Sequence, residues 1–459
     1  MSHSALKTIL TSAVSGMILT IAAQGSAQAG AFALREQSTV GLGMAFAGVA
    51  AGSANLGSMF WNPATMTKMP GWQSEWNLAG ISPYAKFRAG AGSAPAYLGS
   101  STGDLGEDAV LPSSYGSYQI NDRLWIGLST GAPYGLATKP DATFPARGYG
   151  YSTKVTSFDI NPNVAYRVND WLSVGAGIQA MYFKAKYKSY FAPAGAPALN
   201  QAFGLEGDGW GVGYTLGATI TPMQGTDIGI GFRSAVNAKL DGDFNGLNIP
   251  FPFILNPALA GAAATFPTRP VKLNITLPET LTVGVRQQIN ERLTLSVGAE
   301  WTNWSRVGYP RVVDQTNGGL YRGLPALTLD YKDGWFFSVG GEYKINPLWT
   351  VRAGLGYEIS PIEDRTRTLR LPDNDRIWTS IGASYNFNDK ITFDVSYAHL
   401  FPKSTRVAMV PGNPSYSAAS GPLVGKVSAH VDIVSVGLRY RWDDVAQTIP
   451  VEKAVVRKY

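Results

Sequence analysis

Leu172-Ser-Val-Gly-Ala-Gly-Ile-Gln-Ala-Met-Tyr182 runs in steps of two. Leu172, Val174, Ala176, Ile178, Ala180 and Tyr182 fall on one parity, while Ser173, Gly175, Gly177 and Gln179 fall on the other. A period of two places each set on one face of a β-strand. The same alternation recurs in Leu293–Trp301, Trp349–Tyr357, Ile391–Tyr397 and Val434–Trp442, with Trp or Tyr closing the apolar parity. The second face carries Ser, Thr, Gly, Asn, Asp, Glu and Arg. In a soluble sandwich the apolar face would be the core; in a membrane barrel it would meet lipid and the polar face would line the lumen. Aromatic ends favour the barrel, because Tyr and Trp settle at headgroup level.

Composition points the same way. Charged residues make up 15% of the 459-residue chain, below the ~25% usual for soluble domains. Tyr (22) and Trp (12) are more numerous than a soluble core requires, and Gly reaches 52. The net charge of +6 is spread along the chain without a basic block, which excludes a nucleic-acid partner. The chain has no cysteine, and so no disulfide, Cys metal site or Cys nucleophile.

Residues 1–29 read as an export signal: Lys7, an apolar stretch from Ala13 to Ala23, then the small-residue site Ala27-Gln28-Ala29. Cleavage after Ala29 would start the mature chain at Gly30. The apolar stretch is shorter than the ~20 residues a spanning helix needs. No later run has ~18 apolar residues, so a spanning structure must be a closed barrel, which leaves no backbone group unpaired in lipid.

Asn121-Asp122, Asn169-Asp170, Asn290-Glu291, Asn346-Pro347 and Asn388-Asp389 mark short turns. Longer Pro/Gly-rich connections, such as 191–208 and 244–270, read as external loops. Strand-like runs number about fourteen, even as in bacterial barrels. The expected fold is therefore an all-β transmembrane antiparallel barrel over 71–442, followed by a polar tail, 443–459. Residues 30–70 do not alternate, yet Phe32, Leu34, Leu42, Met44, Phe46 and Trp61 are too apolar for a solvated leader. They predict a hatch folded into the lumen.

Ser38-Thr-Val-Gly-Leu-Gly-Met-Ala-Phe-Ala-Gly48 followed by Asn62-Pro63-Ala64 resembles the hatch of the FadL-type long-chain fatty-acid transporters. The resemblance continues through Tyr134–Thr138, Leu277-Pro-Glu279, Trp301-Thr-Asn-Trp304 and Leu371-Pro-Asp-Asn-Asp-Arg-Ile-Trp378, and so spans Gly30 to Trp442. It implies fourteen strands and a lumenal hatch. It also implies passive capture of a hydrophobic ligand from outside, a pocket touching the mature N-terminus, and exit sideways where the third strand kinks inward. Here that strand contains Gly131-Ala132-Pro133-Tyr134-Gly135; Pro133 has no N–H to complete a ladder bond and the glycines permit a bulge. Ala109 and Gly217 match family positions lining the gap. Asn62, able to donate and accept at once, is expected to satisfy the free backbone groups beside it, with Pro63 and Ala64.

Phe32 matches the family's N-terminal pocket phenylalanine. Where fatty-acid-transporting members carry an Arg and a Lys for the carboxylate, this chain has Ser189 and Leu327. Lys186, Lys188, Arg322 and Lys332 lie near those places and are the candidate substitutes. A buried carboxylate without a cation or donors is costly, so the departure raises a neutral cargo as the alternative, and the family includes carriers of aromatic hydrocarbons. A general porin for polar solutes is a further alternative, at odds with a forty-residue hatch. His399 and His430 show no activated Ser nearby in sequence, so no enzyme, cofactor or metal is expected. The expected partners are a hydrophobic small molecule and outer-membrane lipid, with the barrel acting as a monomer.

Overall fold

The computed structural model describes residues 30–53, 55–191, 201–245, 268–315 and 329–443. Its strands form a closed antiparallel barrel of 14 strands. They are β1 (Trp72–Ala89), β2 (Ala109–Asn121), β3 (Leu124–Gly131 with Gly135–Thr138), β4 (Ser152–Arg167) and β5 (Leu172–Phe191). Next come β6 (Gln201–Met223), β7 (Thr226–Arg233 with Val236–Asn245), β8 (Arg269–Leu277 with Thr280–Gln288) and β9 (Leu293–Thr302 with Val312–Asp314). The circuit ends with β10 (Gly334–Lys344), β11 (Trp349–Ile359), β12 (Arg376–Asn386), β13 (Ile391–Pro402 with Thr405–Met409) and β14 (Leu423–Arg441). β1 pairs with both β2 and β14, from Gln73↔Arg441 to Ala89↔Gly425, so no edge remains. Trp72 and Trp442 stack across the seam at 5.2 Å.

The short turns share one device. Asn121, Asn169, Asn290, Asn346 and Asn388 each accept, on Oδ1, the N–H groups two and three residues ahead. An asparagine carbonyl thus mimics a backbone turn. One outer connection is shorter than its Pro/Gly content implies: Gln201–Asp208 continues β6, paired with β5 and with β7; most of the other, 246–267, lies outside the described residues.

Alternation has the lipid-facing sense. On β5 the side chain of Ile178 is 60% exposed and that of Gln179 is 1% exposed. Val339, Leu355, Ile381 and Val436 also point outward, while Glu75, Ser296, Glu342, Arg352 and Asp394 are buried within. Above the hatch the sense reverses. Val236, Ala238 and Leu240 of β7 and Val271, Leu273, Ile275 and Leu277 of β8 are buried inside. Lys272 faces out beside Asp241, 3.5 Å away. These strands extend past the bilayer, where water takes the outer face and apolar side chains fill the lumen.

Residues 30–53 and 55–69 lie largely buried inside the barrel, and polar wall residues satisfy part of their backbone. Glu75 accepts the N–H groups of Leu56 (2.6 Å) and Gly57 (3.2 Å). Asn77 accepts from Thr39 N at 3.0 Å, and Ser396 donates to Thr39 O at 2.7 Å. Ser38 caps the short helix α1 (Thr39–Leu42) by accepting from Gly41 N. The polar lumen face of the strands is therefore the hydrogen-bonding complement of an irregular segment.

Candidate functional site

β3 is interrupted. Against β4 it pairs Gly131↔Asp159 and then Gly135↔Thr156, so Ala132, Pro133 and Tyr134 stand opposite Ser157 and Phe158. This extra residue is a bulge. Against β2, pairing stops at Ser114↔Thr130. Among the described residues Ala109–Ser113 have register partners in β1 alone. The hydrogen-bond ladder between β2 and β3 is therefore open from Ala109 to Ser113. A groove of about 320 Å³ lies at the lower edge of this opening, lined by Trp76, Leu78, Pro112, Ser113, Thr130 and Val436.

The backbone groups freed there are met by the start of the hatch. Leu34 N donates to Pro133 O (2.8 Å) and Gly135 N to Phe32 O (2.9 Å). Gln37 Nε2 donates to Ala132 O (2.9 Å), and the Gln37 carbonyl accepts from Ser113 Oγ (2.9 Å) and Tyr115 OH (2.7 Å). Gln37 thus ties together both lips of the opening.

Five residues back from Gln37, Phe32 lines a cavity of about 420 Å³. Its ring meets Trp304 at 4.7 Å, Tyr134 at 5.9 Å and Phe183 at 6.5 Å. Tyr187, Phe203, Leu240, Leu273, Ile275 and Tyr331 line the walls. Arg370 enters from the connection between β11 and β12, with its guanidinium 3.7 Å from the Tyr187 ring centroid. Its Nη1 reaches Ser152 O (3.2 Å) and Thr153 Oγ1 (3.0 Å), whereas Nη2 is buried with no hydrogen bond among the described residues. Burial holds this guanidinium below the ordinary arginine range.

The expected residues separate into two groups. Phe32 lines the cavity, while Ala109, Gly131, Ala132, Pro133 and Gly135 lie at the opening. Asn62 does not lie there: its Nδ2 donates to Ala50 O (2.7 Å) and Ala218 O (2.9 Å), and its Oδ1 accepts from Ala64 N (3.0 Å). With Pro63 as first residue it caps a 3-10 turn, Pro63–Lys68, and fastens the hatch to β6. Gly217 belongs to this anchor, since a Cβ there would strike Asn62 Oδ1. The partner expected of Asn62 at the opening is Gln37.

The cations also differ from expectation. Lys186 borders the cavity, but its Nζ pairs with Glu206 at 2.6 Å, as Lys184 does at 3.2 Å. Lys188 shares their parity on β5. Lys332 lies 3.9 Å from Glu363 and is half-exposed. Arg322 and Leu327 lie outside the described residues. Ser189 is buried and donates to Gly148 O (3.2 Å). The residues that sequence reasoning missed are Arg370 and Gln37. Arg370 immediately precedes the Leu371–Trp378 string, a signal that could have drawn attention to it.

Comparison with known proteins agrees with this architecture. Residues 19–442 match the family described as outer membrane protein transport protein (OMPP1/FadL/TodX). A 47 kDa outer membrane protein of Pasteurella multocida is 28% identical over 91% of this chain and 95% of its own length. The long-chain fatty acid transport protein of Escherichia coli K12 is 24% identical over 87% and 94%. Among solved structures, a Pseudomonas aeruginosa FadL homologue superposes with a TM-score of 0.77 at 22% identity, covering 90% of this chain and all of that one. The Ralstonia pickettii toluene transporter TbuX gives 0.63 at 19% identity, covering 88% and 99%.

Proposed function

The chain belongs to the outer membrane protein transport family (OMPP1/FadL/TodX), and from that premise we propose that it is a passive channel for long-chain fatty acids. Members of this family are transport channels of the outer membrane. In the proposed path, ligand enters the apolar cavity above the hatch, displaces Phe32, and leaves sideways between β2 and β3.

One observation carries the reading: a single six-residue segment, Phe32 to Gln37, lines the cavity at one end and closes the wall opening at the other. Displacing Phe32 pulls on Leu34 and Gln37, whose hydrogen bonds hold the opening's lips. Long-chain cargo is supported by the acyl-sized cavity and by Arg370, whose unpartnered Nη2 suits a carboxylate.

A second reading, uptake of neutral aromatic hydrocarbons, draws on the rings of Phe32, Phe183, Tyr187, Phe203 and Tyr331. The two readings diverge at Arg370. Binding of oleate and of a neutral hydrocarbon of similar length is compared in detergent for the native protein and Arg370→Gln. The expected result is oleate preference, reduced about tenfold or more by the substitution, as loss of a charged hydrogen bond of ~1.5–3 kcal/mol implies. Preference of the native protein for the neutral ligand would overturn the fatty-acid assignment.

A further inference from the structure

A carboxylate of β11, Glu358, and one of the connection between β11 and β12, Asp373, converge on the first residues of the hatch. Gly30 N donates to Glu358 Oε1 at 2.9 Å, and Ala31 N donates to Asp373 Oδ2 at 3.2 Å. Both carboxylates are at least 95% buried. Glu358 also receives Trp378 Nε1 (3.0 Å), pairs with Arg376 Nε (3.3 Å) and lies 3.8 Å from Arg35 Nη1. Asp373 receives Ser360 Oγ (2.6 Å) and pairs with Arg376. Arg35 in turn pairs with Glu300 at 2.8 Å. In this connected cluster Glu300, Glu358 and Asp373 face Arg35 and Arg376, while the buried Arg367, whose Nε donates to the Asp373 carbonyl (2.8 Å), is matched by its own partner Asp364, so one negative charge is in excess. Glu36, buried with an unpartnered Oε2, adds a fourth carboxyl beside them. Excess buried negative charge is costly unless a cation joins it.

Gly30 is also the residue at which the Ala27-Gln28-Ala29 site would open the mature chain. Its nitrogen would then be an ammonium, carrying the missing charge and three donors. The fit is tight: a Cβ at Gly30 would stand 2.6 Å from Glu358 Oε1, so a side chain there forces the carboxylate away. We propose that Glu358 and Asp373 are a receptor for the α-ammonium of the mature chain. Removal of the signal thus completes the charge balance of the lumen. It also fixes Phe32, two residues on, against the cavity. This pairing requires no transported ligand, so it stands or falls independently of the cargo.

The test is acylation of the native, detergent-purified protein with an amine-reactive ester across a pH series, read on the N-terminal peptide by mass spectrometry. The expected peptide begins at Gly30. Its amine reacts at least about tenfold more slowly than in urea-unfolded protein. Its reactivity midpoint lies at least about one unit above the ~7.7–8.0 of a free α-amine, because the carboxylates favour the charged form. Glu358→Gln and Asp373→Asn lower that midpoint in assembled barrels. Burial without a receptor would move the midpoint down instead. A different first residue, a midpoint at or below the free-amine value, or a midpoint indifferent to both substitutions overturns the proposal; the native protein alone decides it if the variants fail to assemble.

Discussion

Gln37 Nε2 donates to the carbonyl of Ala132 at 2.9 Å, so a hatch residue takes the place of the missing β2 strand partner at the kink of β3. A barrel wall in lipid cannot leave that carbonyl unpaired without cost. Gln37→Leu keeps the volume and removes the donor. The expected penalty is about 1–3 kcal/mol for a buried unsatisfied carbonyl, concentrated in hatch docking. Hydrogen exchange should accelerate at the amides of Leu34 and Gly135, which donate across the same junction. Unchanged exchange at both would show that Gln37 does not hold the lips.

Gly217 and Asn62 form a separate attachment of the hatch, to β6. Gly217→Ala places a Cβ against Asn62 Oδ1 and beside the Pro63 ring, and that Oδ1 is held by the Ala64 N–H of the same turn. The hatch should then detach from β6 and open the lumen. Planar-bilayer recordings of the variant are expected to approach the conductance of a barrel lacking residues 30–70. A native-like, closed recording would show that this contact does not keep the lumen shut.

Phe32→Ala removes the ring that meets Trp304, Tyr134 and Phe183. Loss of a buried phenylalanine costs about 3–5 kcal/mol, here felt in docking of the N-terminal segment rather than in the barrel. Oleate, with no ring left to displace, should bind more tightly while heat-modifiable migration, a measure of barrel integrity, stays native. Loss of native migration would place Phe32 in the barrel core, and weaker oleate binding would contradict displacement of Phe32 by the ligand.

The hatch should respond to pH. Burial pushes the Glu36 carboxyl up from 4.5 to about 7, against the opposing pull of Arg35 and Arg376 and with the help of Glu358. The folded pKa is raised, so the docked hatch binds more protons than the released one between those values. Docking stability is therefore full below about pH 4.5, falls as pH rises towards 7, and is level above it. Exchange of hatch amides, corrected for intrinsic rates, should quicken from pH 5 to pH 8 in the native protein and stay level in Glu36→Gln. The same pH profile in both proteins would exclude Glu36 as its source.

Much of the barrel is legible because lipid imposes a strict rule on each strand, and the five Asn-led turns repeat one local solution. Leu172–Tyr182 can be read without any neighbour. Val271-Lys-Leu-Asn-Ile-Thr-Leu277 has the same alternation with its faces exchanged, and only the strand's height relative to the bilayer tells the two apart. The cavity wall is thus hidden in a pattern identical to the lipid face. Asn62 was recognisable as a hatch contact but not as a β6 contact, since the wall it meets lies 156 residues away. Gln37 meets Ala132 across 95 residues, and Arg370 reaches the cavity from a loop. Such pairings follow from closure of the barrel, which no local periodicity encodes.

In the proposed path the ligand leaves sideways between β2 and β3. Uptake of labelled oleate by cells carrying Ala132→Glu tests this exit, because the new side chain puts a charge at the opening while the cavity is left untouched. Binding in detergent should remain native and uptake should fall to the level of cells without the channel. Undiminished uptake by correctly assembled Ala132→Glu barrels would contradict lateral exit.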